Sequence, residues 1–311
     1  MREKSHITPY VTIIGAANMD ITAKSDAAII HQDSNPSTIR HSHGGVGRNI
    51  AENLARLGAQ VKLMAPLGMD AFGKELLAGC QAVGINMDCC YVSESISTPC
   101  YLAVLDNQGE MYVGAVDMSC TLPVSHILNY GDAIRGSQIL FVDTNLEQEV
   151  IEFILKKFGD KDLYVDPISV TKAKKIKHLL GRFHTIKMNR LEAEAFTDMA
   201  IGDEAKEADL RSAGDFFLRQ GTKRIIISLG EQGLYYRTKK VEIRLLATKL
   251  TPKNATGAGD ALMAGIAYCS LHGKDDDYTA RFGRAMAEVA LLSEDTVSTQ
   301  VSVGEIIGRL Y

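Results

Sequence analysis

The chain has 311 residues, long for one small domain but normal for a single large α/β domain with an appendage. Apolar residues make up 46 % and charged residues 23 %, the balance of an ordinary globular protein, and the formal net charge of −4 argues against a broad nucleic-acid-binding surface. Six cysteines without a C-x-x-C pair, two of them adjacent at Cys89 and Cys90, read as free thiols, and no run is long enough to span a bilayer; the expected compartment is the cytoplasm.

The opening has a basic start, but its apolar run is too short for a signal peptide and closes on Asp20. VTIIGAAN (11–18) reads as a buried strand. GRNIAENLARLG (47–58) reads as a helix, with Ile50, Leu54 and Leu57 on one stripe and Gly58 at its C-terminal cap. VKLMAPLG (61–68) follows as a strand and AFGKELLAGCQAVG (71–84) as a helix. The alternation returns with ILFVDTN (139–145), EQEVIEFILKKFG (147–159) and LYVDPIS (163–169). HTIKMN, RLEAEAF and KRIIISLG continue it. Repeated βα units with nearly all-apolar strands predict a mostly parallel sheet covered by helices on both faces.

Two stretches break this rhythm. Residues 20–43 hold ITAKS, a DSNPS loop and TIRHSH. Residues 97–118 hold STPCYLAVLD and MYVGAVDM around a turn at Asn107–Gly109, a hairpin pattern. Together they predict a small antiparallel sheet beside a single domain spanning 1–311, placed to act as a lid; the alternative is an edge extension of the main sheet.

NATGAGDALMAG (254–265) carries the chemistry. From Asn254 to Leu271 the only charged residue is Asp260. A helix apolar on nearly every side is buried, and its first turn presents free N–H groups and the positive end of the dipole. Gly257 and Gly259 allow close backbone approach, so TGAG is a candidate anion cradle. A carboxylate there would face a substrate hydroxyl, taking its proton as that oxygen attacks a phosphoryl group. GMDAFGKE (68–75) nearly matches a phosphate loop, but Glu75 stands where a Ser/Thr hydroxyl is needed, so it reads as a strand-to-helix turn. His41 and His43 would share a strand face; without further ligands they point to substrate contact sooner than to metal. Asp166 sits at a strand end, as a site residue or a turn residue with equal weight.

With these motifs in order, the chain resembles the ribokinase-like (PfkB) carbohydrate and nucleoside kinases over nearly its whole length. HGGVGRNIAENLARLG (43–58) is similar to the family's N-terminal signature and NATGAGDALMAG to its C-terminal one. GAANMD (15–20), PLGMDAFG (66–73), KMNRLEAE (187–194) and SLGEQG (228–233) fall in the expected order. The opening MREK, and DSNPS (33–37) followed by GGVGRN (44–49), look most like the branch that acts on pseudouridine. The resemblance implies a three-layer α/β/α sandwich with a small β lid. It implies Asp260 as catalytic base and the amides of Gly257, Ala258 and Gly259 as an anion hole. Asn18, Asp20, Gly44, Gly45 and Asn49 would hold the sugar of a nucleoside or sugar substrate. Asn189, Glu192, Ser228, Gly230 and Gly233 would border ATP, with Glu192 reaching Mg2+ through water. Ribokinases proper carry Lys where this chain has Val46. Many relatives carry an acid six residues before the base, where it helps to bind a monovalent cation such as K+; Asn254 stands there, leaving only backbone carbonyls for such an ion. A homodimer through the lid edge is a further expectation. The reading from a different class, a ligand sensor without turnover, has no need of an intact Gly-Ala-Gly-Asp.

Overall fold

The computed structural model describes residues 8–117 and 120–311; the opening MREK and Met118 lie outside the described residues. Its strands are β1 (Tyr10–Ile14), β2 (Asn18–Ser25), β3 (Ser37–Gly44), β4 (Gln60–Met64), β5 (Pro66–Gly68), β6 (Tyr91–Ser93), β7 (Cys100–Leu105), β8 (Met111–Asp117), β9 (Ile139–Asp143), β10 (Asp162–Asp166), β11 (Thr185–Asn189), β12 (Arg224–Ser228), β13 (Leu234–Thr238) and β14 (Glu242–Leu245). Its α-helices are α1 (Val46–Arg56), α2 (Ala71–Ala82), α3 (Val124–Asn129), α4 (Gly131–Gly136), α5 (Gln148–Lys157), α6 (Val170–Ala173), α7 (Arg190–Thr197), α8 (Glu207–Gln220), α9 (Ala258–Leu271), α10 (Asp276–Leu291) and α11 (Val303–Ile307).

The main sheet runs β14-β13-β12-β11-β10-β9-β1-β4. It is parallel from β12 to β4, with β13 and β14 added antiparallel at one edge. Alternate strand residues feed opposite layers, as a period of two requires. Val11, Ile13 and Ile226 join the core under α1, α9 and α10, whereas Ile14, Ile225 and Ile227 join the core under α5, α7 and α8. Burial on both faces explains why these strands are apolar throughout instead of alternating.

A second, four-stranded sheet has the order β3-β2-β7-β8. Its two hairpins, β2–β3 and β7–β8, are antiparallel and join through a parallel pairing of β2 with β7. All seven residues of the edge strand β8 are exposed.

Two predicted strands are broken in the structure. VTIIGAAN ends as a strand at Ile14 and resumes as β2 at Asn18. Between them the backbone turns to a buried carboxylate: Ala16 N–H donates to Asp143 Oδ2 at 2.7 Å and Gly47 N–H to the same oxygen at 3.2 Å. A Cβ on Gly15 would lie 2.3 Å from that oxygen. VKLMAPLG divides at Ala65, because Pro66 has no N–H to continue the ladder; β5 then pairs with β6 in a separate two-stranded sheet. GMDAFGKE is a helix start, with Asp70 capping α2 by accepting from Gly73 N–H at 2.8 Å.

Candidate active site

Helix α9 begins at Gly257, whose φ of 83° is left-handed; a Cβ there would meet Thr296 O at 2.1 Å. Only glycine fits. The first intrahelical bond runs from Ala261 N–H to Gly257 O, which leaves the amides before it free to face a ligand. Asp260, in that first turn, is buried, and its Oδ2 accepts from Asn49 Nδ2 of α1 at 2.7 Å. Burial raises the Asp260 carboxyl to about 7, helped by repulsion from Asp166 and opposed by Lys187, Asn49 and Arg48.

Lys187 is the residue that sequence reasoning missed. It lies on β11, buried among apolar neighbours, and pairs with Asp166 Oδ2 at 2.7 Å. Its ammonium occupies the space a side chain at Gly259 would fill: a Cβ there would be 2.4 Å from Lys187 Nζ. The Asp166 and Asp260 charges outweigh desolvation in holding this lysine protonated, since its pKa is raised although burial opposes that. The signal was available in KMN, a lysine inside an otherwise buried strand, which is costly unless paired. Asp166 is therefore more than a turn residue, although its Oδ1 also accepts from Ile168 N–H at 2.8 Å.

The five residues expected at the sugar come together. Asn18 is directly opposite Gly44 in the β2–β3 register. Its Nδ2 donates to Asp20 Oδ1 at 2.5 Å, and a Cβ on Gly44 would collide with the Asp20 carboxylate. Gly45, at φ 97°, caps α1 and packs on Ala16 O and Ala17 Cα. Asn49 links this group to Asp260. Burial raises the Asp20 carboxyl above its ordinary value, against the pull of Asn18 and Arg48.

On the other side, Asn189 and Glu192 form a reciprocal capping box at the start of α7, with N···O distances of 2.9 and 2.8 Å. Asn189, Ser228 and Gly230 line one cavity together with Arg190, Asp203 and Gln232. Gly233 lies off that lining, and a Cβ on it would meet Leu245 O at 2.0 Å. His41 and His43 both lean on Glu75 of α2, at 3.3 and 3.5 Å. Among the described residues no group of three His, Cys, Asp or Glu side chains is arranged to hold a metal ion directly. Asn254 is committed to backbone groups, accepting from Thr256 N–H in its own loop and donating to Glu294 O beyond α10.

A profile of the pfkB family of carbohydrate kinases matches residues 8–302. The chain belongs to that family. It is 35 % identical to the pseudouridine kinase of Escherichia coli (strain K12), over 99 % of this chain and 97 % of that protein. Among solved structures, a putative sugar kinase from Clostridium perfringens superposes with a TM-score of 0.88 at 34 % identity, covering 97 % of this chain and 95 % of that one. The ribokinase of Arabidopsis thaliana, solved with ribose and ATP, superposes at 0.84 over 98 % and 99 % of the two chains; at 18 % identity it shows the shared fold alone. The chain is thus a sugar or nucleoside kinase of the ribokinase-like fold. No helix among the described residues is long and apolar enough to cross a membrane.

Proposed function

We propose that the protein transfers the γ-phosphoryl group of ATP to the 5′-hydroxyl of pseudouridine. The observation that carries the chemistry is Asp260, buried in the first turn of α9 beside Lys187. The hydroxyl proton passes to Asp260 Oδ as the oxygen attacks phosphorus and the bond to ADP breaks. The free amides of Gly257, Ala258 and Gly259 face the charge on the transferred group, and Lys187 stands against them. Asn18, Asp20, Gly44, Gly45 and Asn49 orient the ribose hydroxyls.

Asn189, Ser228 and Gly230 border the nucleotide, with Gly233 supporting their turn. Mg2+ fits this site only indirectly: among the described residues no three His, Cys, Asp or Glu side chains gather, so Glu192 would hold it through water. When bound there it neutralises phosphate charge. The small sheet acts as the lid, excluding water as a competing acceptor, and its exposed β8 edge pairs two copies into a dimer.

The choice of pseudouridine rests on the similarity to the Escherichia coli enzyme and on a second cavity that adjoins the sugar group through Gly15 and Ala16. Pro99, Thr121, Leu122 and Asn145 also line it. Lys172 Nζ donates to Asn145 Oδ1. The Asn145 amide N–H groups are then left for a base carbonyl. The test is kcat/KM for pseudouridine, uridine, ribose and fructose 6-phosphate in turn. Pseudouridine should be preferred by at least about tenfold, and Asn145→Leu should lose about 1–2 kcal/mol of that preference while ribose turnover stays unchanged. Preference for another acceptor would discard the substrate and keep the kinase.

A further inference from the structure

Arg48 is not itself one of the proposed substrate-binding residues, yet it is 3 % exposed and every arm of it is engaged. Nε donates to Gly44 O at 3.3 Å and Nη2 to His43 O at 2.7 Å. Nη1 pairs with Glu52 Oε2, and Nη2 also donates to Asn49 Oδ1. Glu52 is held in turn by Arg56, at 2.7 and 2.9 Å. A guanidinium can only donate, so the Asn49 atom facing it must be the oxygen. The amide nitrogen is thereby turned to the far side, where it meets Asp260 Oδ2 at 2.7 Å. Without Arg48 the amide is free to turn its oxygen toward the protonated Asp260 carboxyl; with Arg48 in place only its N–H faces Asp260.

We propose that Arg48 is a positioning residue for phosphoryl transfer, locking the Asn49 amide so that its N–H is aimed at the Asp260 carboxylate. The same fork ties down the carbonyls of His43 and Gly44 at the end of β3, so one side chain sets both the base and the turn that carries the sugar contacts. This inference rests on Asp260 being the base. A donor aimed at a carboxylate favours its ionised form, the form that accepts a proton. The other charged groups facing Asp260 are Lys187 on β11, Asp166 on β10 and Arg48 itself. Those facing Arg48 are Glu52, Asp20, Asp260 and the Cys80 thiol. Lysine would not substitute, because a single ammonium lacks the planar fork that reaches Asn49, two carbonyls and Glu52 together.

The experiment is the pH profile of kcat for wild type, Arg48→Met, Asn49→Leu and the double variant. Arg48→Met should move the acid limb up by about one pH unit. At pH 6.5 that is about a tenfold loss, with recovery toward the wild-type rate at pH 9 and an unchanged KM for ATP. In the Asn49→Leu background Arg48→Met should shift the limb by less than it does alone, since the part acting through the amide is already gone and only its direct charge on Asp260 remains. If losing one of the two arginines on buried Glu52 unfolds Arg48→Met, the pair Arg48→Met/Glu52→Gln removes that charge and is read in the same way. An unmoved acid limb, or shifts that add in the double variant, would overturn the inference while Asp260 remained the base. A wild-type rate in Asp260→Asn would overturn the reading beneath it instead.

Discussion

Asp260 shows how burial turns an ordinary carboxyl into a group suited to the proposed proton transfer. Its raised value of about 7 puts the proposed base half-ionised near neutrality. With acceptor subsaturating, kcat/KM should fall tenfold per pH unit below about 7. The stability of the free protein follows the same shift with a definite sign. The folded carboxyl keeps its proton up to about 7 against an ordinary 3.8, so the folded state binds the extra proton across that window and stability falls as pH rises through it. Asp260→Asn never ionises, and at pH 8 it should melt above wild type, by up to about 4 kcal/mol of stability. A variant melting below wild type at pH 8 would contradict this. Asp260 was legible in the sequence as the single charge in a long apolar run. Lys187 was missed although it stands in a strand expected to be buried, because its partner Asp166 is identified only once β10 and β11 are known to be neighbours. Arg48 was hidden in the same way: charge on a helix reads as surface, and its burial against the end of β3 and beside α2 appears only in the fold.

At the level of elements, the turns that carry the site are held by glycines whose roles differ. Gly45→Ala would force a left-handed φ on alanine and place Cβ 2.5 Å from Ala16 O. Its expected cost is about 2–5 kcal/mol. Gly58, also left-handed but with nothing within 4 Å of a Cβ, should cost about 1–2 kcal/mol when changed to alanine. Urea denaturation of the two variants checks this, and equal costs would mean that crowding at Gly45 is relieved by movement. Helices α1, α2, α5, α7 and α9 and the parallel strands of the main sheet were readable from apolar periodicity and caps, whereas α3, α4, α8 and α11 were not read. Two strand ends were not. A run such as VTIIGAAN contains no mark of the point where its amides leave the ladder for Asp143, a residue far along the chain. The spacing of Asn189 and Glu192 was legible as well, and the structure gives it a local meaning, a capping box, beside any role at the nucleotide.

For the whole molecule, the parallel α/β sheet was evident from the alternation of elements, but strand order was not, since periodicity marks faces and not neighbours. The small sheet is the part whose surface calls for a partner. Met111, Tyr112, Val113 and Val116 are exposed along β8, and an apolar unpaired edge invites pairing. Sedimentation should show a dimer for wild type and a monomer for Val116→Lys; a monomeric wild type would contradict the proposed pairing. The central claim is met most directly by the product itself. Purified protein is incubated with ATP, Mg2+ and pseudouridine, and the nucleoside fraction is analysed by mass and by 31P NMR. Wild type should yield a phosphate monoester on the 5′-oxygen, and Asp260→Asn should form it about a hundred- to ten-thousand-fold more slowly while still binding pseudouridine. Equal rates for the two proteins, or no monoester from wild type with any acceptor that it binds, would contradict the account.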